Sequence, residues 1–409
     1  MSYVKVCDIA VNDNLIKVSF EYSIELKQYF LTNEFTCEYN FLREDIPYGI
    51  AVIPFVCNVL PIVWLTDSEL ILSELDEDFC RSIDLFKQGY IDMYPMLEFR
   101  GKTSVGEVKK YIPHNSGGSA CFFSGGVDAF NTLFQHLDEH PALITVWGAD
   151  VSLNDVRGWE IVRQHSQNTA EQLNLNFYTI KSNFHCFLNE RILNKMIRSS
   201  GDGWWHGFQH GVGLIGLAAP LAYSLGKTTL YIASSYTEAD KGTYTCASDP
   251  SIDNFVRFAG CHIVHDGYNF TRMDKVKNIC RCAENGMEFR PTLRVCWIET
   301  GGKNCCKCEK CIRTMAELIV SGHDPHQYGF DYTDDDLKHS RRTVLSAFCR
   351  TIRPAWDEIQ ADAKKNSTDF PKGFKWINSC DIKRESRSLE TILFKVRNKV
   401  LYLFKLISK

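Results

Sequence analysis

Along residues 16–26 apolar and polar positions alternate. Ile16, Val18, Phe20, Tyr22, Ile24 and Leu26 face one way, and Lys17, Ser19, Glu21, Ser23 and Glu25 the other. Period two over this length predicts a half-buried strand, and residues 30–39 are expected to pair back on it. From 46 to 65 the pattern becomes an uncharged apolar run broken by Pro47, Pro54 and Pro61. Its length matches a bilayer span, but interior prolines remove helix hydrogen bonds. Short buried strands and turns are expected there. Asp67 is read as the N-cap of a helix carrying Leu70, Leu72 and Leu75, and a second helix is expected over 79–90. Together these features describe an N-terminal α+β domain, residues 1–115, for which docking, recognition or dimerisation on the one hand and a plain structural role on the other are the expectations.

After a linker-like stretch at 111–119 the texture changes. Strand-length apolar runs at 120–123, 143–147, 177–180, 230–234 and 261–265 alternate with helical stretches at 129–136, 158–173 and 212–225. This alternation predicts an α/β domain, residues 116–320, with a parallel sheet covered by helices on both faces. Residues 321–409 read as a polar helical extension. At its end Leu389, Ile392, Leu393, Val396, Val400, Leu403 and Ile407 share one helical face, with Lys395, Arg397, Lys399, Lys405 and Lys409 adding positive charge. A basic amphipathic helix of this kind closes the protein's own core, docks in a partner groove or makes weak contact with an anionic membrane surface.

The chain has 409 residues, a formal net charge of −4 and 17 cysteines. That charge gives no general pull toward nucleic acid, and no DNA partner is expected. The first residues carry neither an apolar core nor a small-residue cleavage site of a secretory signal. Many cysteines in that setting read as reduced thiols, a metal site or catalysis rather than a disulfide framework. A cytoplasmic address and a homo-oligomer are expected.

Two constellations carry chemistry. In the first, a short apolar strand runs into Ser124-Gly125-Gly126-Val127-Asp128 and then a helix. Adjacent glycines let backbone approach a phosphate without a Cβ in the way. The N–H groups of the turn and the helix N-terminus attract anions. Ser124 offers a hydroxyl, and Asp128 a carboxylate for Mg²⁺. The spacing is neither a Walker A loop nor a dinucleotide fingerprint. In the second, Cys296, Cys305, Cys308 and Cys311 form C-x8-C-x2-C-x2-C. Two-residue spacers place thiolates on one centre, which suits structural Zn²⁺. An iron–sulfur cluster and unliganded thiols are the alternatives, and Cys306 is a spare for Cys305. His206 and His210, beside Trp204 and Trp205, read as a substrate-pocket wall or as structural histidines.

The glycine loop followed by the four-cysteine cluster resembles the PP-loop ATP pyrophosphatases (adenine nucleotide alpha hydrolase-like fold). Within them it is most similar to the 7-cyano-7-deazaguanine synthase, or QueC-like, branch. The likeness covers about 116–320. It includes the apolar helix within 210–226, the segment from Ser234 to Asp240 with Tyr244 and Asp249, the start Thr271-Arg272-Met273-Asp274-Lys275, and Arg294-Val295-Cys296, similar to the strand that delivers the first zinc ligand. The resemblance implies an ATP-dependent, AMP-forming ligase or amide or nitrile synthase. Such an enzyme adenylates a small heterocyclic carboxylate, releases pyrophosphate and passes the acyl group to an amine donor. In anti-phage defence some relatives modify a partner protein, and others lie in surface-glycan gene clusters. On this reading Ser124, Gly125, Gly126, Val127 and Asp128 hold ATP and pyrophosphate, with Trp147 and Asp150 beside the adenine. Asp128, Lys275 and Arg272 are catalytic, and His206, His210, Ser235, Tyr236, Asp240 and Asp249 meet the substrate. ATP, Mg²⁺ and Zn²⁺ are the implied cofactors. Two departures stand out. Position 129 is Ala where the motif has serine, and Val146-Trp147-Gly148-Ala149-Asp150 replaces the Tyr-Gly-Gln-x-His signature. They keep open a non-catalytic nucleotide sensor that serves assembly; PP-loop sulfur transfer to a nucleobase is the other alternative.

Overall fold

Alternation in the sequence becomes one sheet. In the computed structural model, which describes residues 2–284, 289–296 and 302–395, eleven strands pair among the described residues. They are β1 (Tyr3–Asn12), β2 (Leu15–Tyr22), β3 (Glu34–Tyr39), β4 (Glu69–Asp76), β5 (Lys102–Lys109), β6 (Ser119–Phe122), β7 (Ala142–Trp147), β8 (Phe177–Ser182), β9 (Thr229–Ala233), β10 (Arg257–Phe258) and β11 (Cys261–Asp266). Their order is β10-β11-β9-β6-β7-β8-β3-β2-β1-β4-β5. The α/β class holds, but the sheet is mixed and mostly parallel rather than all parallel. Strands β11, β9, β6, β7 and β8 run parallel, as do β1, β4 and β5, whereas β1, β2 and β3 form an antiparallel meander that joins β8 through β3.

The chain divides into two compact units. One holds residues 1–124 and 132–269, the other 125–131 and 270–409. These boundaries fall elsewhere than the division 1–115, 116–320 and 321–409. All eleven strands belong to the first unit, so the meander and the parallel strands share one core.

Strand β2 buries Ile16, Val18 and Phe20 as the alternation requires, and the expected β3 pairs back on it. The strand stops at Tyr22, and Ile24 and Leu26 fall in a 3-10 turn over Ile24–Tyr29. Two expectations fail. The proline-punctuated run is helical, Tyr48–Ala51 followed by Ile53–Leu65. Pro47 stands at an N-cap and Pro54 in a first turn, where a missing N–H costs nothing; Pro61 alone lies inside the helix. Its neighbour Asn58 is buried and donates to the Pro54 carbonyl at 2.8 Å while accepting from Gln209 at 2.8 Å. The helix Val212–Leu217 approaches closely through Gly216, where a Cβ would stand 2.5 Å from Cys57. The second failure is 69–76, a strand rather than a helix. Leu70 and Leu72 obey period two, and the true helix cap is Asp76, whose carboxylate accepts from the Phe79 N–H at 3.0 Å. The expected helix over 79–90 is present as Glu77–Met93.

The five strands and three helices expected after residue 120 are all present, with bounds shifted by a few residues and the third helix split at Ala218. No helix among the described residues is long and apolar enough to cross a membrane. The terminal amphipathic pattern is described only as far as 395, where Leu389, Ile392 and Leu393 are exposed. Val396, Val400, Leu403 and Ile407, and the basic residues from Arg397 onward, lie outside the described residues.

Candidate functional site

Three groups of polar side chains stand out. The first follows β6. In chain order β11, β9, β6, β7 and β8 are the fifth, fourth, first, second and third of the parallel strands, so the order reverses at β6. In open α/β sheets, ligands bind beyond the carboxyl ends of strands at such a reversal. Ser124 lies two residues past that end of β6. Gly125 has φ +74°, a left-handed bend that glycine adopts without strain, and the helix Val127–Gln135 follows. Val127 is fully buried and anchors the turn.

Within the second unit Asp128 forms two ion pairs, Oδ2 to Arg272 Nη1 and Oδ1 to Lys275 Nζ, both at 3.1 Å. Arg272 also reaches Thr314 Oγ1 at 3.1 Å and Glu317 at 3.5 Å. Burial pushes the Asp128 carboxyl up, but Lys275, Arg272 and Lys310 outweigh it and hold it well below the usual carboxylate range. Arg272 and Lys275 both sit at the start of the helix Arg272–Glu284, on one face three residues apart. The three expected catalytic residues are therefore together. Both Asp128 oxygens already accept from cations, which suits an anion site better than a magnesium ligand.

The second group is the cysteine cluster. Cys296, Cys305, Cys308 and Cys311 bring their sulfurs within 4.8 Å of one another. The Cys296–Cys308 and Cys305–Cys311 distances are both 3.9 Å. A tetrahedron with metal–sulfur bonds of about 2.3 Å spaces its sulfurs roughly 3.8 Å apart, so these residues fit a four-thiolate metal ion. Backbone N–H groups of Lys307 and Cys308 donate to Cys305 Sγ at 3.4 and 3.2 Å, and that of Cys311 to Cys308 Sγ at 3.5 Å. The turn is made by Cys306 at φ +56°. The Cys306 thiol points instead to the Asn304 carbonyl at 3.7 Å. Asn304, which sequence reasoning missed, clamps the segment of the first ligand. Its oxygen accepts from Val295 and Cys296, and its amide donates to the carbonyls of Leu293 (2.7 Å) and Gly329 (3.0 Å). Residues 289–296 are irregular rather than the strand expected there. The Arg294 N–H donates to the Gly125 carbonyl at 2.7 Å, so the segment that carries Cys296 holds the glycine bend.

The third group lies in the first unit. Asp202 accepts from Tyr94 at 2.9 Å, from Thr245 at 2.7 Å and from His206 Nδ1 at 2.8 Å. His206 Nε2 is 3.2 Å from the Tyr236 hydroxyl. His206 begins no ordinary helix: Trp205–Gln209 is a π-turn, a form frequent at functional sites. Cys246 is buried, with its sulfur 3.8 Å from His210 Nδ1. The next residue, Ala247, donates its N–H to the His206 carbonyl at 2.8 Å. The structure thus brings together His206, His210 and Tyr236, and adds Asp202, four residues before His206, and Cys246.

Other expected residues have local roles. Asp240 closes a capping box with Thr237, and Asp249 caps the turn at Ser251. Ser235 is exposed. The Trp147 indole stacks on Trp159 at 5.2 Å and donates to the Ser152 carbonyl at 3.0 Å. Asp150 follows Gly148, where φ is +107° and a Cβ would stand 2.2 Å from the Ser182 carbonyl.

No protein-family model, curated protein or solved structure matches this chain.

Proposed function

We propose that the protein is an ATP-dependent, AMP-forming ligase of the PP-loop type. It activates a small heterocyclic carboxylate, of the 7-carboxy-7-deazaguanine kind, and passes the acyl group to an amine. The observation that carries this reading is the glycine bend at the carboxyl end of β6, where the strand order reverses, followed by a helix start whose Asp128 is tied to Arg272 and Lys275. The bend and helix N-terminus offer N–H groups to a phosphate. Arg272 and Lys275 supply charge where pyrophosphate leaves. The substrate carboxylate oxygen attacks the α-phosphorus, the bond to the β-phosphate oxygen breaks, and pyrophosphate departs. Electrostatic stabilisation of that leaving group is the main work available to the protein. The magnesium expected at Asp128 plays no part in this reading. Zinc is the metal proposed for the four thiolates, in a structural role, because a four-thiolate site leaves no open position. Its place is to hold Arg294, and through it the bend. A partner protein in a defence or glycan setting supplies the amine, as the resemblance implies.

The test is pyrophosphate release from ATP in the presence of 7-carboxy-7-deazaguanine. Lys275→Met is expected to lower it by about 100-fold, the scale of losing one charge-stabilising group. Binding of ATP without any release would replace the ligase with a sensor, and absence of nucleotide binding by calorimetry would remove the reading altogether.

A further inference from the structure

The nucleotide reading leaves the Cys246 group unused, and it is a nucleophile's environment. A buried cysteine ordinarily stays a protonated, inert thiol. Cys57, Cys121 and Cys261 are of that kind, with burial pushing each thiol well above the ordinary thiol range. Burial acts on Cys246 too, but His206 and His210 outweigh it and bring the thiol down to about 6. His206 is raised to about 10, chiefly by its hydrogen bond to Asp202 and then by Cys246. The geometry agrees. Asp202, held by Tyr94 and Thr245, fixes His206 with Nδ1 as the donor; Nε2, 3.2 Å from the Tyr236 hydroxyl, is the nitrogen that carries the exchangeable proton, and the Cys246 sulfur stands 3.8 Å from His210 Nδ1. His210, which feels Asp150 and Asp253 besides Cys246, completes the charge around the sulfur. The thiol is 6 % exposed, while the His206 side chain is 43 % exposed, so His206 is the member that meets solvent.

We infer that Cys246, His206 and Asp202 form a nucleophilic site in which the Cys246 thiolate takes an acyl group from an activated carboxyl compound and holds it as a thioester. The thiolate attacks the carbonyl carbon, the C–S bond forms, and the bond from carbon to the leaving oxygen breaks. His206 gives its proton to that oxygen. An amine or water then attacks the thioester, the now neutral His206 takes the incoming proton, and the thiolate is restored. No oxidant or metal is needed, and the inference does not rest on nucleotide binding.

The experiment treats the full chain with p-nitrophenyl acetate between pH 5 and 9 and locates acetyl groups by peptide mass spectrometry. Acetylation of Cys246 is expected to be nearly level from pH 7 to 8 and to fall off near pH 6. Added glutathione and N-acetylcysteine serve as standards, since an ordinary thiol gains roughly tenfold in thiolate per pH unit below its pKa. His206→Asn and Asp202→Asn are expected to move the Cys246 profile toward that of the standards. Acetyl groups on the standards with none on Cys246 would overturn the inference. So would a Cys246 profile that parallels the standards in the unaltered protein. That profile alone decides, whether or not either variant folds.

Discussion

Cys246 and the thiols of 296–311 place one side chain in two opposite settings. The four clustered sulfurs face one another, 3.9 Å apart in pairs, and receive backbone N–H groups. The Cys246 sulfur faces two imidazoles. Thiolates crowded together need a cation at their centre, and once four of them hold one they are closed to chemistry. A thiolate beside imidazolium is neutralised from the side and stays available to attack. The first arrangement stabilises a fold, and the second can make and break bonds.

The largest effect that would break this comparison is removal of the metal. Structural zinc contributes about 10–16 kcal/mol of apparent folding free energy in small domains. Chelation, or Cys308→Ser, is expected to abolish cooperative unfolding of residues 270–395 and to take metal content from one ion per chain toward none. Fluorescence of Trp356, buried in that unit, reports it. Cys246→Ala is expected to leave the metal content unchanged. Equal metal content in unaltered protein and Cys308→Ser would erase the distinction between the two centres.

The two centres also differ in how far the sequence announces them. Three of the four clustered cysteines lie within seven residues of one another, so spacing alone exposed the site. Cys246 meets residues 36 and 40 positions earlier, through a π-turn and a loop with no regular pattern. His206 and His210 were noticed as a pair, but Asp202, four positions before His206, was passed over, and its other partners, Tyr94 and Thr245, are 108 and 43 positions away. The fold shows the same division. Strands β6, β7, β8, β9 and β11 follow from apolar runs of strand length between helical stretches. Residues 46–65 misled because prolines were weighed by number and not by position, and two of the three stand where a helix tolerates them. For 69–76 Leu70 and Leu72 fit a strand whereas Leu72 and Leu75 fit a helix, and pairing with β1 and β5 decided.

A smaller effect concerns Asp128. Lys275 is 2 % exposed and Arg272 13 %, so removing the carboxylate takes a shared anionic partner from two buried cations. Asp128→Ala is expected to destabilise by about 3–5 kcal/mol, measured by urea unfolding. Loss of turnover in that variant alone therefore says little about catalysis. The folded Asp128 carboxyl lies below its unfolded value of 3.8. Its contribution is thus present above pH 3.8 and lost only as pH falls further, toward the folded value. The Cys246 thiolate alone runs the same way in a higher window, from about 9 down toward about 6, but His206, raised to about 10, runs oppositely and loses its contribution as pH rises, so the two offset.

The finest test lies inside the cluster, at Asn304 and Cys306. Asn304→Ala removes four hydrogen bonds around the Cys296 segment without touching a sulfur. Supporting residues of this kind alter metal affinity by about 10–100-fold, so competition with a chelator should show that loss while the stoichiometry at saturation stays at one. Cys306→Ser should do less. Its sulfur points away from the cluster to the Asn304 carbonyl, and a serine hydroxyl can donate to the same oxygen. The backbone at φ +56° is no harder for serine than for cysteine. Metal affinity is expected to change less than about threefold, below the range for supporting residues. A loss as large as that of Asn304→Ala would mean that Cys306 shares the ion, and the ligand set would have to be redrawn around five sulfurs.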